Sequence, residues 1–449
     1  MEPTTGSKAL TREQRDNYLG TLNEETLSAL MRSTWTWDDR ALRRRLSELL
    51  TGLTAVRELR VGEVGCPAPA LDAAEARVLA AAGEFVAEVL GPRLLADAGN
   101  AFREPLLPLV RATGELTAQA TRALDTLAVD VTGHVIERNE ALTSILPEDK
   151  WEAEAFGSHA TGLARLAYSA GYTLAQTDWF PAAGLGAQAF AIAGSPTDDS
   201  VDVRRSTLAA AEKTGSWDPA MVRTRATGAG DGWRLTGEKW YVPGAATAEK
   251  IFVIARNIGG PSLYLVDRNA AGITVEQLDS LDEARPLARI TFQNTPAVLI
   301  GLEGAGGRIM RRTVDRATTV LAAEQMGIVD RALKCLSEVL PASTDSESWR
   351  GYTRKLAELE LLRAGATALW YRAVKLQGDD DLDASAVAAA MAHIGCSNAV
   401  RQVALRVTSV AADLDSAKVD TIATRARGTD LLLGGPALAH ERLLERLGI

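Results

Sequence analysis

The chain has 449 residues, 46% hydrophobic and 24% charged, an ordinary globular composition that supports two to three domains at roughly 100–200 residues each. A formal charge of −9 argues against nucleic-acid binding by bulk electrostatics, and with no run of ~18 apolar residues no membrane span is predicted. The polar opening MEPTTGSKAL lacks a charged-then-apolar leader pattern, and three scattered cysteines (Cys66, Cys335, Cys396) fit a reducing, cytoplasmic setting.

Residues 1–70 read as a polar, helix-prone extension that ends in the turn-rich VGEVGCPAPALD. Residues 71–185 read mostly as helices; LDAAEARVLAAAGEFVAEVL is rich in Ala, Leu and Glu and carries an Asp able to cap orphan amides. Over residues 186–300 the character changes. GDGWRLTGEKWYV, KIFVIAR, PSLYLVD, GITVEQL, LARITFQN and AVLIG are β-branched or aromatic and separated by turn signals, which predicts a compact antiparallel β domain. Beyond Gly301 the β signals stop, and helices are predicted over 308–340, 352–378 and 384–412, with a shorter one near the end. Residues 301–449 therefore read as a helical bundle, and the whole as an α+β chain.

Most catalytic signatures are missing. Four histidines (His134, His159, His393, His440) lack metal-ligand spacing, and no GxSxG, Walker-type loop or CxxC occurs. GLEGAGG (301–307) follows a strand and opens a helix but does not spell GxGxxG, and no later strand completes a βαβ unit; a hinge explains these glycines better. On the helix beginning near residue 308, Met310, Val314, Ala317, Leu321, Ile328, Ala332, Cys335 and Val339 form an apolar stripe. Glu324 falls inside that stripe and Asp315 beside it. A carboxylate among apolar groups must be paired, protonated or tuned for function.

In this order of elements the residues resemble the acyl-CoA dehydrogenase family: a helical N-terminal domain, a central β domain and a C-terminal four-helix bundle. AAEKTGSWDPAMVRTRAT (210–227), GDGWRLTGEKWYVPGAATAEKIFVIAR (230–256) and EGAGGRIMRRTVDRATTVLAAEQMGIVDRAL (303–333) carry the resemblance. MAHIGCSNAVRQVALR (391–406) and RARGTDLLLGGPALAHERLLERLG (425–448) are similar to later bundle segments of a bacterial branch. The likeness covers about residues 75–449, and residues 1–70 have no counterpart in it.

The resemblance implies FAD, an acyl thioester substrate on CoA or a carrier protein, and a homo- or hetero-oligomer with a related chain. It implies that Tyr241 packs beside the isoalloxazine ring, or Trp240 if the register slips by one, with Val242 and Pro243 completing that wall. Leu208 and Ala211 would offer backbone groups to the flavin edge, and Gly215, Ser216 and Trp217 would form the turn near flavin and thioester. Several positions depart from the family pattern. Ala211 stands where a hydroxyl residue is usual, and Pro243 where a threonine is common. PASTDSESWRGYTRK replaces an Arg, Phe-Gly, Gln loop, with Arg350 a weak substitute, and VTSVA (407–411) lacks the expected glycine pair. Leu433 or Arg427 occupies the usual place of the catalytic Glu, which leaves Asp315 or Glu324 as the base. Two alternatives follow: a catalytically degenerate subunit of a hetero-oligomer, and a flavin-dependent monooxygenase on the same fold.

Overall fold

A computed structural model describes residues 10–95, 99–130, 140–156, 160–175, 179–194, 201–230, 232–338, 347–377, 381–410 and 416–449. The N-terminal helices are α1 (Arg12–Thr21), α2 (Glu24–Ser33), α3 (Arg40–Val61), α4 (Ala68–Leu90), α5 (Arg103–Asp130), α6 (Glu140–Thr143), α7 (Trp151–Ala155), α8 (Ala160–Thr173) and α9 (Ala187–Ala193). A π-helical turn, Phe180–Gly186, leads into α9. Thr11, Asn23 and Asp39 accept from the first-turn amides of α1, α2 and α3, satisfying donors that a helix start leaves orphaned.

The extension is less polar in effect than its composition implies. Leu19, Leu22, Leu27, Leu30 and Met31 are buried in the main core. Glu58 pairs with Arg372 at 2.7 Å, Glu63 with Lys375 at 2.8 Å, and Ser47 Oγ lies 2.6 Å from His440 Nδ1, so α3 is docked on the C-terminal helices.

The strands run β1 (Ser206–Ala209), β2 (Arg225–Ala229), β3 (Gly232–Pro243), β4 (Lys250–Asn257), β5 (Gly260–Asp267), β6 (Ile273–Gln277) and β7 (Leu287–Ile300). The expected antiparallel domain is in fact mixed, because β1 pairs in parallel with β4 and β2 meets β4 in parallel at Arg225 and Arg256. The other pairings are antiparallel, and β4–β5 closes the path β4-β2-β3-β7-β5 into a small barrel. Leu235, Val242, Ile251, Val253, Tyr264, Ile290 and Phe292 fill its interior. The sheet begins later than the expected boundary at 186. AQAFAIA forms α9, because Ala and Gln propagate a helix that no strand partner interrupts.

The C-terminal helices are α10 (Gly306–Glu338), α11 (Glu347–Leu376), α12 (Leu382–Ser409), α13 (Ser416–Leu431) and α14 (Gly435–Arg446). The glycines before α10 serve the junction: Gly301 and Gly304 adopt positive φ (71° and 79°), and a Cβ at Gly306 would fall 2.6 Å from the backbone of Pro261 and Ser262. α10 is the axis of the molecule. Instead of presenting one apolar stripe, it is buried on every side from Ala317 to Asp330. It meets α8 at backbone distance, since a Cβ at Gly327 would lie 2.1 Å from the Tyr168 carbonyl oxygen and one at Gly171 2.1 Å from that of Glu324.

His134, His159 and Val339 lie outside the described residues, as do residues 341–346 of the polar loop and 411 of VTSVA; the rest of that stretch ends α12. Among the described residues no helix is long and apolar enough to cross a membrane, and no cluster of His, Cys, Asp or Glu could hold a metal.

Candidate functional site

The stretch TGEKWYVPG ends β3 on an irregularity. The β3–β7 register jumps between Lys239 and Val242, so Trp240 and Tyr241 sit on a bulge, and Tyr241 takes a left-handed backbone, φ 57°. Bulges re-aim side chains, and a left-handed non-glycine residue costs roughly 1–2 kcal/mol, a strain kept only where the surroundings fix it.

The fixing groups come from the loop after β1. Lys239, completely buried, donates from Nζ to the Ala210 carbonyl at 2.9 Å and to Glu212 Oε1 at 3.0 Å. The same carboxylate oxygen accepts from the Arg223 and Thr224 amides, both at 2.8 Å, and from Thr224 Oγ1 at 2.9 Å. Burial pushes the Lys239 ammonium down to about 8, with Glu212 opposing. Burial would raise Glu212, but the Lys239 charge and the two amides outweigh it and hold its carboxyl below the usual range. Trp240 N donates to the Ala211 carbonyl at 3.0 Å. Loop and bulge are thus stapled together.

On this frame, Gly215 (φ 73°) turns beside Tyr241: a Cβ there would meet only the Tyr241 ring, at 3.8 Å. Tyr241 is 41% exposed, its hydroxyl held only by a long 3.4 Å contact to the Lys213 carbonyl. Trp240 is engaged otherwise. Its ring is covered by the Arg289 guanidinium at 4.8 Å and approached by Lys213 at 5.8 Å, and its Nε1 donates to Glu238 at 3.0 Å. Ser216 is half-buried and accepts from Asp218 N at 3.1 Å. Leu208, Ala211, Trp217, Val242 and Pro243 are buried behind this corner, and the Pro243 carbonyl accepts from Thr207 Oγ1 at 2.7 Å. The structure therefore brings Gly215, Trp240 and Tyr241 together at a surface, backed by the other expected residues.

The two candidate bases on α10, Asp315 and Glu324, lie in separate ion pairs. Asp315 accepts from Arg446 of α14 at 2.8 Å; burial raises its carboxyl above the usual range, against the lowering charges of Arg446 and Arg442. Glu324 is wholly enclosed. Arg285 Nη2 donates to both of its oxygens at 2.8 and 2.6 Å, Arg425 Nη1 stands 3.5 Å away, and Arg425 Nε lies 3.0 Å from Asp282. Arg285 also lies over the Phe180 ring at 4.9 Å and lines a cavity of about 250 Å³ with Ser206, Gly244 and Thr247.

Lys239, Glu212 and Arg285 escaped the sequence reading. For Lys239 a signal existed, because strand parity puts it on the inward face with Leu235. Glu212 and Arg285 lie in loops and are brought in by tertiary packing.

Residues 207–295 match the family described as acyl-CoA dehydrogenase, middle domain. The chain is 29% identical over 202 residues to the mitochondrial short-chain specific acyl-CoA dehydrogenase of Bos taurus, covering 41% of this chain and 48% of that protein. It thus spans about half the length of that curated relative. Among solved structures, an FAD-dependent dehydrogenase aligns at TM-score 0.59 and 22% identity over 73% of this chain and 97% of that one. The ChsE4-ChsE5 complex from Mycobacterium tuberculosis aligns at TM-score 0.57 and 20% identity over 83% and 97%. At such identities the structural likeness establishes the fold, and the central match falls on the β domain that builds the Tyr241 corner. Residues 207–295 thus match the acyl-CoA dehydrogenase middle domain, and the chain around them shares the fold of these structures.

Proposed function

We propose that the chain is an FAD-dependent oxidoreductase that acts on an acyl thioester, removing hydrogen across the α,β bond. The observation that carries this reading is Tyr241, an exposed ring held at positive φ on a stapled bulge, opposite a glycine. Strain of this kind, fixed by a buried Lys–Glu pair, suits a rigid platform for a flat ring; stacking on it is worth on the order of 1–3 kcal/mol by analogy with bases on aromatics. Gly215 and Ser216 would allow close backbone approach, and Leu208, Ala211, Trp217, Val242 and Pro243 would form the wall. Because Ala211 and Pro243 lack side-chain donors, the polar contacts to the cofactor fall to backbone groups.

Bound FAD would supply the hydride acceptor. The chain's own part is to orient the thioester, exclude water and remove the α-proton. Of the two candidate carboxylates on α10, Asp315 is the better base: its side chain is 19% exposed and its carboxyl is already raised, whereas Glu324 is fully buried and held by Arg285.

The ion pairs at both carboxylates favour a second reading, a flavin-binding subunit that lacks its own base and works beside a related catalytic chain. Purification and an absorption spectrum, followed by anaerobic addition of acyl-CoA, separate the two. Wild type yellow and bleached, with Asp315→Asn yellow and unbleached, supports the enzyme. Yellow without bleaching supports the subunit reading, and a colourless protein that takes up no added FAD refutes the flavin assignment.

A further inference from the structure

α3, α4, α11, α12 and α14 line a cavity of about 530 Å³ that shares no lining residue with the Tyr241 corner or with the cavity at Arg285. Its size is that of a small-molecule site. One wall is α3, from the first 70 residues, where the resemblance implies no counterpart.

The cavity is polarised along α3. At the N-terminal end stand Arg44, Arg45, Asn398, Arg401 and His440. The Ser47–His440 bond at 2.6 Å holds α14 there, and Arg401 donates to Asn398 at 3.2 Å. Burial first, and then the charges of Arg44 and Arg401 against that of Glu48, press the His440 pKa down, so these groups share one neighbourhood. At the other end the lining is Ala55, Val56, Leu59, Leu369 and Ile394. Leu59 follows Glu48 by 11 residues of helix, about 16 Å at the usual rise per residue.

Three lining arginines (Arg44, Arg45, Arg401) stand at the N-terminal end with the one lining acid, Glu48, while Arg77 lies further along, beside the stretch of α3 where Gly52 meets Val78. Each has an acidic neighbour: Arg44–Glu48 at 3.1 Å, Arg45–Glu88, Arg77–Glu358 at 3.8 Å and Arg401–Asp430 at 3.9 Å. Only Glu48 of those acids lines the cavity. An apolar cavity with more guanidinium than carboxylate at one end selects an amphiphile with an anionic head, and guanidinium suits a carboxylate through paired donors. We propose that this cavity binds a single-chain fatty carboxylate of about ten to fourteen carbons, its head at the Arg44 and Arg401 guanidiniums at the level of Glu48, where Arg44 Nε lies 3.1 Å from that carboxylate, and its tail running along α3 to Leu59, the ~16 Å span matching an extended chain of that length.

Calorimetric titration of the full chain with dodecanoate, and with dodecanol as the uncharged control, tests this. One saturable dodecanoate site is expected. Gly365 lines the cavity with no atom nearer than 3.7 Å to a built Cβ, so Gly365→Leu fills it without a backbone clash and should abolish binding of both probes while the melting temperature holds. Arg44→Gln combined with Arg401→Gln should weaken dodecanoate at least tenfold and leave dodecanol unchanged. Absence of saturable binding, wild-type affinity in a folded Gly365→Leu, or unchanged dodecanoate affinity in the double variant would each overturn the assignment. None of these readouts depends on flavin.

Discussion

The buried cluster at Glu324 makes a quantitative prediction. Arg285 and Arg425 face Glu324 and Asp282, two positive and two negative charges, with Arg285, Arg425 and Glu324 nearly inaccessible and Asp282 7% exposed. Arg285→Leu removes the donor that holds both Glu324 oxygens and leaves a net negative charge in the core. Breaking a buried pair from one side costs about 3–5 kcal/mol, because the abandoned charge stays desolvated. At about 2–4 °C per kcal/mol for a domain of 150–250 residues, the melting temperature should fall by roughly 6–20 °C. Arg285→Leu with Glu324→Leu restores neutrality, keeps the 3.0 Å Arg425–Asp282 pair and should return most of the loss, within about 1–2 kcal/mol of wild type. Differential scanning fluorimetry of wild type, both single variants and the double closes the cycle. A single variant that melts within a degree of wild type, or a double that melts no higher than the worse single, would show that the pair does not hold the core and would reopen Glu324 as a functional acid.

Three other perturbations probe separate parts of the chain. Tyr241→Gly relieves about 1–2 kcal/mol of left-handed strain and gives back roughly 0.5–1 in chain entropy, so the melting temperature should stay level or rise slightly while FAD per chain falls sharply; retained FAD contradicts the platform. His393 is fully buried, and burial, with Arg442 and His440, pushes its imidazole down to about 4 from an unfolded value of 6.5. Its folded pKa is the depressed one, so stability is complete above 6.5 and is lost as pH falls toward 4, by about 3 kcal/mol in all. His393→Leu should flatten that acid limb in melting curves taken across the window, and an unchanged limb argues against it. Gly327→Ala puts a methyl 2.1 Å from the Tyr168 carbonyl oxygen and 2.7 Å from Tyr172 N, so α8 must retreat; a cost of about 1–3 kcal/mol is expected, read as a fall of roughly 2–12 °C in melting temperature.

What the sequence revealed follows the range of the forces involved. Helix periodicity is local, and α10, α11 and α12 begin and end within a few residues of their expected limits. Strand segments were also visible, but closure into a barrel depends on β4 pairing with β5 on one edge and with β1 and β2 on the other, contacts that no local pattern encodes. The stripe on α10 pointed to a buried Glu324 correctly in kind. It understated the degree, since α8 packs at backbone distance against the face that a one-sided stripe would leave in water.

The Tyr241 corner shows where such reasoning stops. Alternation along β3 places Leu235 and Lys239 inward, and continued without interruption it would send Tyr241 into the barrel with them. The register shift after Lys239 breaks the parity, so Val242 goes in and the tyrosine comes out. No propensity in KWYV predicts this, because an L-residue resists positive φ. The compensation lies some 27 residues away, in Glu212, whose carboxylate collects four donors and ties the loop to the inward lysine. A strained aromatic held by a remote, fully satisfied carboxylate is a local cost with a distant support. The pairing suits a surface that must stay rigid before its ligand arrives, so the staple and the platform should fail together: Lys239→Met should release Tyr241 from its positive φ and lower flavin retention without touching the ring itself.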